Sequence, residues 1–184
     1  AHNLEAFCSP YFHPMAEGIA IEGLRIIKEH LPIVVKNSLN LTSRGYMLVA
    51  SSMGSTAFQK GLGAIHSLSH PVNAIYDTHH GLTNAVFMPY VLKKNKNVIE
   101  DKIILLSKYL ELNNHSFNSF VEWILNLRSE LNIPHTIKDI NIEQSDFKKL
   151  SKMAFNDPST GSNPMKLTEE DFFQLYKDSY NGNL

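Results

Sequence analysis

Residues 61–84 read GLGAIHSLSHPVNAIYDTHHGLTN and contain four of the nine histidines in the chain: His66, His70, His79 and His80. The same stretch has three glycines and no lysine, arginine or glutamate. Flexible charged side chains dominate solvated surfaces, so a segment with none of these three residue types is not typical of one. We therefore treat this segment as the candidate functional site and work outward from it.

The spacing of the histidines predicts how they are arranged. His66 and His70 are four residues apart, so a helix over residues 63–70 places both side chains on one face, about one turn apart. We expect Pro71 to break or bend this helix, which lets His80 return to the same point from a turn or from the next helix. Metal ligands have this spacing, and so do hydrogen-bonded or surface histidines. Both interpretations remain open on spacing alone.

Three common site types do not fit these residues. A zinc protease of the HExxH type needs a glutamate beside its first histidine, where this chain has HSLSH. A phosphohydrolase of the HD type needs a His-Asp dipeptide, which the sequence lacks. Gly61 and Gly63 begin a GxG pattern, but His66 stands at the third glycine position and no strand precedes it, so a dinucleotide fingerprint is excluded. We expect these glycines to allow close packing.

Length and composition limit the remaining classes. The 184 residues are 43% hydrophobic, which predicts one globular domain with a substantial core. Seventeen basic and 18 acidic residues give no excess charge for binding nucleic acid. Cys8 is the only cysteine, so the chain has no internal disulfide, and it shows no membrane span or signal peptide, which predicts a soluble, cytoplasmic protein. The opening AHNLEAF reads as helix interior without an initiator Met, and we expect the chain to be truncated at its N-terminus.

Helical periodicity runs through most of the chain. An apolar stripe begins at Pro14 and continues to Val34, residues 45–60 are rich in small residues and are predicted to be a core helix, and residues 82–92 and 103–112 are two further apolar segments that favour helix. Ser116 and Thr168 are predicted N-caps, the latter in a capping box with Asp171. Residues 146–155 predict a short helix, and NDPSTGSNP is the clearest loop. The predicted fold class is all-α, with seven or eight helices.

The segment GLGAIHSLSHPVNAIYDTHHGLTNAVFMPYVLKKN resembles a shared stretch of the iron-containing alcohol dehydrogenase family, GxGxxHxxxHPxGxxxxxxHGxxNAxxxPxVxxxN. AHNLEAF resembles the family segment DxxxHxxEAY without its Asp, and NDPSTGSNPMKLTEEDF resembles the closing loop and last helix. The resemblance spans essentially all of residues 1–184. It implies a helical, bundle-like C-terminal domain within the dehydroquinate synthase-like superfamily, with the nucleotide-binding domain expected upstream and absent from this chain.

The resemblance also implies roles for individual residues. It makes His2, His66 and His80 metal ligands, while the family's fourth ligand, an Asp, would fall ahead of Ala1. His70 would face the nicotinamide and the substrate, where it would contribute to cofactor binding and act catalytically as a proton relay.

The resemblance leaves the roles of several neighbouring residues open. Glu5 lies one turn from His2 and is either a supporting residue or a solvated carboxylate. His79 is a neighbour of the site, and Ala57 and Phe58 line the substrate pocket or simply pack in the core. Asn73 stands where the family usually has Gly, which puts the local geometry and the activity in question.

The implied function of the full-length protein is metal-dependent interconversion of a primary or secondary alcohol and its aldehyde or ketone with NAD or NADP. The ion is Fe²⁺ on the family name alone, because nitrogen and oxygen ligands also suit Zn²⁺. Expected partners are a small alcohol or aldehyde, the upstream domain and, in the full-length protein, further copies in a homo-oligomer. Two alternatives stay open: a zinc enzyme resembling glycerol dehydrogenase, and a non-catalytic helical module with structural histidines. The isolated chain is expected to be inactive.

Overall fold

The computed structural model describes residues 1–184 and contains α-helices but no β-strand, which confirms the all-α prediction. Short 3₁₀ turns lie in several of the connections between the helices. The eight helices are α1 (His2–Cys8), α2 (Pro14–Lys36), α3 (Leu41–Ala57), α4 (Ala64–Tyr76), α5 (His80–Tyr109), α6 (Phe117–Glu130), α7 (Phe147–Phe155) and α8 (Glu169–Asn181).

Local sequence signals fix several helix ends. Ser116 caps α6 and forms a reciprocal capping box with Ser119, and Thr168 does the same for α8 with Asp171. Each box satisfies backbone N–H groups that the first turn of a helix leaves without partners. Both predicted caps are confirmed because the signal lies within three residues of the helix start.

The 30-residue helix α5 connects the two hydrophobic cores of the fold. Phe87 and Tyr90, in its first half, pack with residues of α4, α7 and α8. Ile99 and Ile103, further along, pack with residues of α1, α2 and α6. The sequence predicts two separate segments at 82–92 and 103–112, whereas the structure joins them into one helix. No helix, α5 included, is long and apolar enough to cross a membrane.

Helix α4 carries the central histidine segment and continues through Pro71 to Tyr76, so of the two predicted effects of Pro71, a break or a bend, the break does not occur. A proline inside a helix removes one backbone hydrogen bond, and Leu68 and Val72 on either side of it are fully buried in the core. The start of α4 is closely packed, as predicted for the glycines. A Cβ atom on Gly63 would lie 2.8 Å from Asn163 Oδ1 and 3.0 Å from Glu5 Oε1.

The prediction that residues 45–60 lie in the core is wrong for most of α3. Ala50, Gly54 and Ala57 are buried, but Leu48 is 72% exposed and Val49 is 51% exposed. Helix α3 packs with one side only, against α1 and α2, so its small residues form the contact face and its larger apolar residues face outward. Composition alone does not separate these two faces.

Candidate metal centre

Three imidazoles from three different helices converge at one point. His2 lies in the first turn of α1, His66 in the first turn of α4, and His80 begins α5. One ring nitrogen from each of the three lies within 4.8 Å of the others. The rings of His2 and His66 stack with centroids 4.8 Å apart, and the centroids of His66 and His80 are 5.2 Å apart. The structure thus brings together the three histidines singled out as metal ligands.

Glu5 holds His66 in place from inside the protein. Its Oε2 atom pairs with His66 Nδ1, and its Oε1 atom accepts a hydrogen bond of 2.8 Å from the backbone N–H of Ile65. The side chains of Glu5 and His66 are 6% and 1% exposed, so the alternative of a solvated carboxylate is wrong. Because an ionised carboxylate only accepts hydrogen bonds, the proton of His66 lies on Nδ1 and the lone pair on Nε2. A carboxylate in this position commonly orients a metal-binding histidine.

Asn84 connects the outer nitrogens of two of these histidines. Its Nδ2 atom lies 3.3 Å from His66 Nε2 and 3.0 Å from His80 Nε2, so the amide donates to both lone pairs. The Oδ1 atom of the same amide is buried and has no hydrogen-bond partner. Two acceptor nitrogens directed at one point are the arrangement that a cation requires.

His2 is brought close to the other two rings by the packing of α1 against α3. A Cβ atom on Gly54 would lie 3.0 Å from the Cβ atom of His2, so a larger residue there would push α1 away. The ring of Phe58 lies on the other side of the imidazole, with centroids 5.3 Å apart. Phe58 therefore contacts a site residue, while Ala57 is fully buried in the core.

Electrostatics favour the neutral imidazole at two positions of the cluster, His2 and His80. Burial, followed by repulsion from His66, lowers the pKa of His2 from 6.5 to about 4. Partial burial of the ring, followed by repulsion from His66 and His70, also lowers the pKa of His80. Metal ions bind the neutral form of imidazole, so His2 is in its ligand form at neutral pH.

His70 lies beside the cluster without joining it. Its ring stacks on that of His80 with centroids 5.5 Å apart, and its side chain is 42% exposed. His70 Nδ1 lies 2.9 Å from Asp157 Oδ2, so in a neutral His70 ring Nδ1–H donates a hydrogen bond to the carboxylate and Nε2 is the acceptor. Asp157 also caps the turn at residues 158–162 by accepting from the backbone N–H of Ser159 at 2.8 Å.

Sequence reasoning missed several supporting residues. Asp157 is 87 residues from its partner His70, and no local pattern connects them. Asn163 Oδ1 accepts from the backbone N–H of Ala64 at 3.1 Å, which supplies the side-chain cap that the start of α4 otherwise lacks. His79, predicted only as a neighbour, is the N-cap of α5 through its Nδ1 atom.

A cavity of about 650 Å³ opens next to the cluster. His2, His80 and Asn84 form part of its wall, and most of the rest is apolar, with side chains such as Leu24 from α2 and Trp123 from α6. The ring nitrogens therefore border both a polar hydrogen-bond network and an apolar space.

Known proteins resemble this chain over almost its whole length. The chain matches the description "Fe-containing alcohol dehydrogenase family, C-terminal" over residues 1–180. It is 29% identical over 190 residues to the NADPH-dependent butanol dehydrogenase of Clostridium saccharobutylicum, covering 98% of this chain and 48% of that protein. It is 28% identical over 186 residues to the NAD-dependent methanol dehydrogenase of Bacillus methanolicus, covering 97% of this chain and 49% of that protein.

Solved structures show the same fold. The crystal structure of a 1,3-propanediol oxidoreductase superposes with a TM-score of 0.93 at 27% identity, covering 97% of this chain and 49% of the other. The chain belongs to the Fe-containing alcohol dehydrogenase family and corresponds to its C-terminal domain. It spans about half the length of the curated relatives it matches, 48% and 49% of the two dehydrogenases above.

Proposed function

We propose that this chain is the metal-binding half of an alcohol dehydrogenase that interconverts a primary or secondary alcohol and its aldehyde or ketone. The observation that carries the proposal is the convergence of His2, His66 and His80, with one nitrogen of each within 4.8 Å, in a member of this family. The full-length enzyme would combine this chain with an upstream nucleotide-binding domain. The relatives' proteins, about twice as long as this chain, support that arrangement.

The three imidazoles fit a divalent ion. Three histidines with one open coordination position are a known ligand set for a catalytic metal. His66 and His80 present Nε2 lone pairs to one point, which Asn84 occupies with its amide hydrogens. We assign Fe²⁺ from the family's description, and Zn²⁺ suits the same nitrogen ligands. An Asp contributed from ahead of Ala1 would complete the set with its one negative charge.

The residues of this chain have separate roles in the proposed reaction, metal binding and proton transfer. When bound, the ion supplies a Lewis acid for the substrate oxygen, and the nicotinamide accepts or donates the hydride. His2, His66 and His80 would hold that ion, each through one ring nitrogen. His70 transfers the proton: its Nδ1–H donates a hydrogen bond to Asp157, so Nε2 is the nitrogen that takes up or releases a proton. The stacking of His70 on His80 keeps this nitrogen beside the metal ligands.

The cofactor is NAD or NADP, since the names of the two relatives include one of each. The upstream domain would bind most of the dinucleotide, and His70 would contact the nicotinamide. We propose that the 184-residue chain by itself has no turnover and that the full-length protein is a homo-oligomer. An absorbance assay for alcohol-dependent NADH formation by the chain alone tests the first point, and turnover comparable to that of the full-length protein would contradict it. Calorimetric titration of the chain with NADH tests the cofactor assignment, and tight binding by the chain alone would contradict the role given to the upstream domain.

The experiment that tests the proposed roles compares two histidine variants of the full-length enzyme. His70→Ala should lower turnover and leave the bound metal in place, because His70 is not among the three ligands. His80→Ala should remove the metal together with the activity. Metal content is measured by elemental analysis and turnover by NADH absorbance. Equal metal loss in both variants would show that the roles are wrongly assigned, and unchanged metal content in His80→Ala would contradict the site itself.

The same preparation separates the alternatives. A zinc enzyme resembling glycerol dehydrogenase would contain Zn²⁺ and would prefer polyols in a substrate screen. A non-catalytic helical module would show no alcohol-dependent NAD(P) reduction with any metal.

A further inference from the structure

Asn73, the residue at the position where the family usually has Gly, contacts a proposed metal ligand. It lies in the third turn of α4 and faces the start of α5. Its Nδ2 atom lies 3.2 Å from the backbone oxygen of Thr78, 2.8 Å from the hydroxyl of Thr78 and 3.1 Å from the hydroxyl of Thr83. Its Oδ1 atom lies 2.7 Å from His80 Nδ1.

These contacts settle which way the amide is turned. A backbone carbonyl oxygen can only accept, so the atom facing Thr78 O must be the NH₂ group of Asn73. The Oδ1 atom therefore faces His80, and because it too can only accept, the proton of a neutral His80 ring lies on Nδ1. The lone pair is then on Nε2. Asn84 agrees from the opposite side, because its Nδ2 donates to that same Nε2 at 3.0 Å.

His80 needs such a contact more than His66 does. His66 is buried and is held by the Glu5 carboxylate, whereas His80 is an exposed residue at the first position of α5. Asn73 is the hydrogen-bond partner of its Nδ1 atom. Asn84 alone does not fix the tautomer of His80, because its amide can turn so that the unpartnered Oδ1 accepts from an Nε2–H. Without Asn73 the exposed His80 ring therefore exchanges between two tautomers, only one of which offers Nε2 to an ion.

We infer that Asn73 is a positioning residue that holds His80 as the Nδ1–H tautomer and so prepares Nε2 for the metal. The metal-binding part of this inference rests on the proposed function, whereas the tautomer of His80 is a property of the chain alone. Partners of this kind on the far nitrogen of a metal-binding histidine typically change metal affinity about 10- to 100-fold. The Asn73 side chain thus supplies an orienting contact to the site that a glycine cannot make.

The test uses the 184-residue chain and three variants. Asn73→Ala removes the acceptor, Asn73→Asp keeps an acceptor oxygen for His80, and Asn97→Ala is the control, since Asn97 is an exposed residue of α5 outside the site. The first readout is the tautomer of His80 in the metal-free chain, from two-bond ¹⁵N–¹H correlation spectra at about pH 8, where a free imidazole is neutral. The second is Zn²⁺ affinity by titration.

We expect His80 to be Nδ1–H in the parent chain, in Asn73→Asp and in Asn97→Ala, and to become a mixture of tautomers in Asn73→Ala. Zn²⁺ affinity should fall about tenfold or more in Asn73→Ala and recover in Asn73→Asp. A merely structural role for Asn73 would lower the melting temperature without changing the tautomer. An Nε2–H tautomer in the parent chain, or an unchanged tautomer in Asn73→Ala, would overturn the inference. Absence of Zn²⁺ binding in every chain would contradict the proposed function, and the tautomer measurement would then decide the role of Asn73.

Discussion

Replacing Glu5 by Gln should lower the metal affinity of the chain strongly and its unfolding free energy only slightly. The carboxylate accepts two hydrogen bonds, one from Ile65 N–H and one from His66 Nδ1, and both donors are buried. Gln offers one acceptor oxygen and one NH₂ group. If the oxygen stays on Ile65, the NH₂ group faces His66, whose Nδ1 must then become the acceptor. The proton of His66 moves to Nε2, where the ion would bind.

The magnitudes follow from this rearrangement. Asn84 can rotate its amide so that the unpartnered Oδ1 accepts from the new His66 Nε2–H, so few buried groups lose their partners. We expect Glu5→Gln to cost about 1 kcal/mol of unfolding free energy, the net value of one hydrogen bond. Zn²⁺ affinity should fall about 10- to 100-fold, which corresponds to about 1.4 to 2.8 kcal/mol.

The assay combines urea unfolding with calorimetric Zn²⁺ titration of the chain. Glu122→Gln is the matched control, because Glu122 is an exposed residue of α6 away from the histidines and should change neither quantity. Zn²⁺ affinity in Glu5→Gln equal to that of the parent chain would refute the assignment of Glu5 as the residue that fixes the His66 tautomer. A loss of stability as large as the loss of binding energy would point to general unfolding of the site.

Three further predictions concern stability. The pKa of His2 is about 6.5 in the unfolded chain and about 4 in the folded one, so protonation destabilises the fold as the pH falls between these values. The metal-free chain should lose about 1 to 2 kcal/mol of unfolding free energy over this range, after allowance for solvent screening. His2→Gln should reduce that loss in denaturant titrations at several pH values. Burial raises the pKa of Asp171, but hydrogen bonds from Lys94 and Thr168 outweigh this effect and lower the pKa to about 2. Asp171→Asn should therefore lower the unfolding free energy by about 1 to 2 kcal/mol at neutral pH, measured by urea unfolding. A difference in stability between the parent chain and Asp171→Asn that stays the same as the pH falls from 3.8 to about 2 would contradict this ion pair. Phe120→Ala should lower the unfolding free energy by about 3 to 5 kcal/mol because the side chain is fully buried, whereas Leu48→Ser, at a position 72% exposed, should change it by no more than about 0.5 kcal/mol. Similar losses in both variants would contradict the burial of Phe120 and the exposure of Leu48.

The parts of the fold that local chemistry controls can be predicted from the sequence. Ser116 and Thr168 are recognisable as caps because the residues that complete each capping box are three positions away. The His66 and His70 pair falls on one helix face because a helix repeats every 3.6 residues. His2 joins the set only through the family resemblance, because nothing in the spacing links residue 2 to residue 66.

The contacts that position the site could not be predicted, because they join distant parts of the chain. Glu5 and His66 are 61 residues apart, and His70 and Asp157 are 87 apart. The exposure of α3 is also invisible in the sequence, since burial depends on which helices pack beside it and α3 has neighbours on one side only. Asn73 stands out in the sequence only as a departure from a pattern, and its contact with His80 depends on how the turn at residues 77–79 brings α5 back to α4.

The most direct test of the metal site is a crystal structure of the Zn²⁺- or Fe²⁺-loaded protein with anomalous diffraction measured at the absorption edge of the metal. We predict a single strong anomalous peak about 2.0 to 2.3 Å from one nitrogen each of His2, His66 and His80, with Asn84 turned away from the His66 and His80 Nε2 atoms. A peak bound elsewhere, or one that contacts His70 in place of any of these three histidines, would contradict the central claim.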